Sequence, residues 1–186
     1  TLRHSFLNCN SVNLDGLLYN LPNIDNIESC LSQDRRSTDD IDLWEFINWE
    51  KFVPRSYGGF LTGQYRHDYK CYNFKAHVSF EHYIDICNLY IKHNKENLSN
   101  LFYNTNITET DGDLTFGNLS AINSNAKYMR HTFDGAKCDN GALRLDDNFF
   151  SKLPKIQDVR YCFANISLAK PIPFDFFRKR YDNINT

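Results

Sequence analysis

Short runs of alternating apolar and polar side chains fill the chain from residue 51 onward, and a period of two suits pleated strands. The clearest run covers 69–80. There Tyr72, Phe74, Ala76, Val78 and Phe80 share one parity with Lys70, and Cys71, Asn73, Lys75, His77 and Ser79 take the other. An earlier strand opens at Phe52-Val53 and stops near Gly58-Gly59. Further strands are predicted over 83–92, 101–108, 114–122, 127–133, 142–146 and 158–168, separated by stretches rich in Asn, Asp and Gly such as Asp111-Gly112-Asp113 and Asp139-Asn140-Gly141. Strands at this spacing predict an all-β, mainly antiparallel domain, either a barrel or a β-sandwich, spanning 37–186. No βαβ alternation is read, nor any internal repeat or low-complexity tract.

Ahead of the strands, Ser37 or Thr38 can cap a short helix carrying Ile41, Trp44 and Ile47 at spacing three. Trp44 and Trp49 are expected to pack in the core. Residues 1–36 form an Asn-rich extension that a local bridge between Cys9 and Cys30 could hold in shape. After residue 170, Pro171-Ile172-Pro173 and the apolar-basic run to Arg180 read as a short tail.

Cys9, Cys30, Cys71, Cys87, Cys138 and Cys162 are widely spaced, with no CxxC. That spacing gives no support to zinc ribbons or redox dithiols and fits up to three disulfides, in any of fifteen full pairings. Sequons at Asn97, Asn106, Asn118 and Asn165 point the same way, to a secreted chain or the extracellular face of a surface or virion glycoprotein. No apolar run reaches the roughly 20 residues that span a bilayer. Twenty-one basic residues against 23 acidic ones leave a formal charge of −2, without the basic stripe of a nucleic-acid binder.

The parts for catalysis are missing from the pattern. His67, His77, His82 and His93 show no HExxH or HxH spacing, so no metal site is expected. No GxSxG elbow or phosphate loop occurs, and Asp39-Asp40 and Asp146-Asp147 are sequence neighbours that do not form a spaced carboxylate dyad. A non-enzyme without a cofactor is therefore expected, working by binding. Inside a barrel, Tyr72, Phe74, Val78, Phe80, Tyr103 and Phe116 would line a ligand cavity, with Asp85 or Asp113 available to a cationic amine.

Residues 39–71 resemble the secreted lipocalins of tick saliva in Asp42, Trp44, the strand near Phe52, Gly63 and Cys71, and Phe133-Asp134-Gly135-Ala136-Lys137-Cys138-Asp139 is similar to that family's late aspartate-and-cysteine turn. The long segment before Trp44, with its own cysteine pair, departs from the family. The resemblance implies a barrel that sequesters a small amine or lipid mediator of a host, in the service of immune modulation. It also implies bridges from Cys71 to Cys162 and from Cys87 to Cys138. The alternative is a viral or parasite glycoprotein domain that binds a host protein or receptor through exposed loops. Tyr57, Phe60, Tyr65 and Arg66, around Gly58-Gly59, would then be the contacts.

Overall fold

The computed structural model describes residues 40–46, 49, 75–110, 114–115, 125–139, 141–145 and 149–172. Strand β1 (Asp40–Asp42) runs into a single helical turn, α1 (Leu43–Phe46). Strand β2 (Lys75–Ser79) is followed directly by α2 (Phe80–Lys92). Short strands β3 (Thr105–Thr108), β4 (Leu114–Thr115), β5 (Lys137–Cys138) and β6 (Leu143–Arg144) come next, then a 3-10 turn at Phe149–Lys152.

Among the described residues every strand pair is parallel. One sheet has the order β1-β2-β3-β5 and a second pairs β4 with β6. The expected antiparallel barrel or sandwich is thus overturned. The physical reason lies in the connections: a hairpin joins antiparallel neighbours in a few residues, whereas parallel neighbours need a long return path. Here β2 and β3 are separated by α2 and the turn that follows it, and β3 and β5 by another full circuit of chain.

Those circuits repeat, contrary to the expectation of no internal repeat. Asn97 bridges Tyr128, and Tyr128 bridges Asp158, so equivalent positions recur roughly thirty residues apart. Three rungs, 97–107, 128–138 and 158–165, stack in register. The amides of Leu98, Asn100, Phe102 and Asn104 donate to the carbonyls of Tyr128, Arg130, Thr132 and Asp134 at 2.8–2.9 Å. One rung on, Met129, His131, Phe133 and Gly135 donate to Asp158, Arg160, Cys162 and Ala164 at 2.8–3.0 Å. Each rung turns through two left-handed residues at the same places: Asn100, His131 and Tyr161 first, then Asn104, Gly135 and Asn165.

The inward positions of the rungs build the core. Phe102, Phe133 and Phe163 form an aromatic ladder with centroids 5.8 and 5.9 Å apart, and Tyr83 from α2 packs on its first member at 4.5 Å. Burying such rings is worth roughly 1.5–3 kcal/mol each before entropy is counted. The segment 83–92, expected as a strand, is helical because Tyr83, Ile86, Cys87 and Tyr90 fall at the spacing of one helix face, and all four are buried. Ser79 caps that helix, its Oγ accepting from the His82 amide at 3.2 Å. Segment 101–108 is turn over its first half and strand β3 over its second, while 127–133 and 158–168 are largely turns with isolated bridges near their ends. The cap of α1 is Asp42, which accepts from the Trp44 amide at 2.8 Å, while Trp49 is buried and donates Nε1–H to the Leu43 carbonyl at 3.0 Å.

Candidate interaction surface

Because the rungs are in register, residues at equivalent outward positions stand side by side on neighbouring turns of chain. Two faces result. On the sheet, Asp42, His77, Asn106 and Lys137 occupy one row across β1, β2, β3 and β5. His77 Nε2 lies 3.7 Å from Asp42 Oδ2, and Asn106 donates Nδ2–H to the Asp139 carboxylate. This row is polar.

The second face follows the rung turns and differs in character. Tyr161 is 60% exposed and Tyr128 42%, and beside them Arg130 and Arg160 are exposed at the same position of successive rungs. Arg160 grips Asp158 through Nη2 at 2.7 Å and Nε at 3.0 Å. That hydrogen bonding, with Arg130 adding its charge, pulls the Asp158 carboxyl down to about 2. Lys127 pairs with Glu96 at 2.8 Å at the edge of the patch.

Beneath the exposed ring of Tyr161 lies a supporting chain of contacts. The Tyr161 ring stacks on His131 at 4.7 Å, nearly parallel, and Tyr103 meets His131 edge-on at 6.4 Å. His131 Nδ1 lies 2.7 Å from Asp134 Oδ2, and the buried Asp134 carboxylate accepts a second bond, from Asn165 Nδ2, at 2.8 Å. Asp134 therefore ties the second rung to the third and fixes the platform on which Tyr161 rests. Tyr161 owes its outward aim to its left-handed backbone, φ 57°, a conformation seldom held by an aromatic residue.

Three of the expected ligand-cavity residues are described. Val78 is fully buried core on β2, Phe80 begins α2 half-buried, and Tyr103 sits in a rung turn against His131. Tyr72, Phe74 and Phe116 lie outside the described residues, as do Tyr57, Phe60, Tyr65 and Arg66 of the alternative contact loop. The histidines are dispersed: His77 is on the sheet row, His82 stacks on Trp44 at 4.4 Å, and His93 ends α2. No group of three His, Cys, Asp or Glu among the described residues could hold a metal ion.

The cysteine pairings also change. Cys87, Cys138 and Cys162 are buried free thiols, so neither the Cys87–Cys138 bridge nor the Cys71–Cys162 bridge is formed. Cys87 belongs to the apolar face of α2, and Cys138 and Cys162 occupy inward rung positions filled elsewhere by Ile107 and Leu101; all three serve as small apolar core residues. Burial pushes the Cys87 thiol up to about 12, partly offset by its bond to the Tyr83 hydroxyl, and pushes Cys162 up further. Cys9, Cys30 and Cys71 lie outside the described residues.

Three of the sequon asparagines have structural duties. Asn97 Oδ1 accepts from the Ser99 amide at 2.9 Å, and Asn106 and Asn165 donate to Asp139 and Asp134. Asn118 lies outside the described residues. The exposed tyrosine-arginine patch is not legible in the sequence because its members, Tyr128, Arg130, Arg160 and Tyr161, are unremarkable singly; only the thirty-residue register brings them together.

Stacked parallel rungs around a shared aromatic ladder define the class of architecture, a short solenoid. No family model matches the chain, and neither curated proteins nor solved structures include a match. Among the described residues no helix is long and apolar enough to cross a membrane.

Proposed function

We propose that this chain is a recognition module that acts outside the cell, without turnover, by gripping a protein partner along the turn edge of its rungs. The observation that carries this reading is the exposed pair of tyrosines on neighbouring rungs, flanked by Arg130 and Arg160. Tyrosine and arginine are the side chains that most often anchor protein interfaces, since both offer wide contact area and a polar end. The ring of Tyr161 is held by His131 before any partner arrives, so little rotamer freedom remains to be lost on binding. The extracellular setting rests on the sequons and no longer on the cysteines.

The small-mediator reading depended on a barrel cavity, and Val78, one of its lining residues, is packed core. The experiment that decides is a binding screen of the intact chain against an array of host ectodomains, repeated with a Tyr161→Ala, Arg130→Glu double variant. A partner bound by the native chain should lose about 2 kcal/mol or more of affinity to the variant, the scale of interface anchors. A partner held equally by both, or a small molecule that co-purifies in native mass spectrometry, would rule this surface out.

A further inference from the structure

Tyr128 and Arg130 flank the buried Met129 on the second rung, and Asp158 and Arg160 flank the half-buried Val159 on the third. The register sets Tyr128 beside Asp158 and Arg130 beside Arg160. Two guanidinium groups side by side on neighbouring stretches of chain repel each other. Asp158 relieves only one of them. It takes Nε and Nη2 of Arg160 at 3.0 and 2.7 Å, whereas Arg130 adds its charge to that carboxylate without a bond. Among the described residues the Arg130 guanidinium forms no ion pair and no side-chain hydrogen bond. Lys127, the nearest cation in sequence, is already committed to Glu96 at 2.8 Å. One positive charge is therefore left over on this face, in a chain whose formal charge is −2.

That surplus selects the chemistry of the partner. We propose that the protein segment bound here presents an aspartate or glutamate to Arg130, next to an apolar side chain that lies on Tyr161. This partner chemistry rests on the recognition surface proposed above and gives it a class of ligand, an acidic peptide. Arg130 keeps all five N–H donors for a carboxylate, and Arg160 retains Nη1 on the side that Asp158 does not use. A carboxylate seated on Arg130 also offsets the repulsion between the two guanidinium groups, which a neutral group cannot do. The Tyr161 ring has one face against His131 and is 60% exposed, so its other face is open to apolar contact. A single surplus charge suits one carboxylate and not a polyanion, which needs a row of cations to release its counterions.

Two capped peptides, Gly-Ser-Glu-Phe-Gly and Gly-Ser-Gln-Phe-Gly, titrated into the intact chain and followed by NMR, test the proposal. The glutamate peptide should shift the Arg130 Nε–H and Tyr161 ring signals and bind about tenfold tighter than its glutamine twin. The difference should shrink severalfold between about 0.05 and about 0.5 M salt, as exposed charges are screened. Arg130→Ala should remove the preference and Arg130→Lys should keep part of it, each with the other amide signals in place. Equal binding of both peptides, no shift at millimolar peptide, or shifts centred on Lys137 with Arg130 unmoved would overturn the proposal. A host ectodomain that loses affinity to Tyr161→Ala, but not to Arg130→Ala or added salt, would remove the acidic partner and leave the patch. One indifferent to all of these changes would remove the patch itself.

Discussion

At Asn104, Gly135 and Asn165 the three rungs place asparagine, glycine and asparagine in the same left-handed conformation, φ 49°, 71° and 54°. Asparagine tolerates this region better than other side-chain-bearing residues, and glycine enters it without cost. A Cβ on Gly135 would lie 3.3 Å from Asn104 Oδ1, a side-chain atom that can shift. Gly135→Asn should therefore cost less than about 1 kcal/mol, and Gly135→Val about 2 kcal/mol or more, in urea unfolding. Equal losses would show that crowding and not backbone conformation governs the site. The thiols yield a second expectation. Cys87 is held neutral in the fold, up to about 12 against an ordinary 9.0, while an unfolded chain ionises from 9.0 upward. The unfolded state then binds fewer protons, so stability falls as pH rises from 9.0 toward about 12, with Cys162 and Tyr83 adding to the slope. Peptide-level alkylation at neutral pH should label Cys87, Cys138 and Cys162 only after denaturation; labelling in the native state would contradict their burial. In the sequence these residues read as an Asn-rich loop composition and as candidate disulfide partners, because neither a left-handed φ nor a buried thiol leaves a mark in a single residue type.

Among the elements, α2 shows why a period can mislead. Tyr83, Ile86, Cys87 and Tyr90 have helical spacing, yet the preceding strand 75–79 alternates cleanly and the aromatic content of 83–92 favours a pleated reading. Ser79 is the punctuation between them, capping the helix one residue after β2 has buried Val78. Ala76 and Val78 were legible as inward-facing from parity alone, and Trp49 as core. The helix was not, since a cap and a four-residue apolar face are weak signals beside a strong alternating run. Ser79→Ala should cost about 1 kcal/mol and lower the helical signal in circular dichroism before global unfolding. Retention of both would mean that the Tyr83–Phe102 contact alone fixes the start of α2.

Across the whole molecule, a stack of rungs is close to one-dimensional, and its stability is a sum over neighbouring turns. That architecture was hidden in the sequence because equivalent positions share almost no identities: Leu98 answers to Met129 and Val159, Leu101 to Thr132 and Cys162, and Ile107 to Cys138. Only Phe102, Phe133 and Phe163 match throughout, and three phenylalanines among 15 do not announce a period. The hydrogen-bond register makes the equivalence plain, and it also says how the stack should fail. Phe133 has a ring on either side, at 5.8 and 5.9 Å, whereas Phe163 meets Phe133 on one side and Phe149 edge-on at 5.2 Å. Phe133→Ala opens two rung interfaces and should cost about 3–5 kcal/mol. Phe163→Ala should cost less, because its ring is already partly exposed, and the loss should be local: exchange should accelerate at Met129, His131 and Gly135, whose acceptors lie in the third rung, while Leu98, Asn100 and Asn104 stay protected. If Phe163→Ala instead exposes both sets of amides equally, the rungs unfold as one unit.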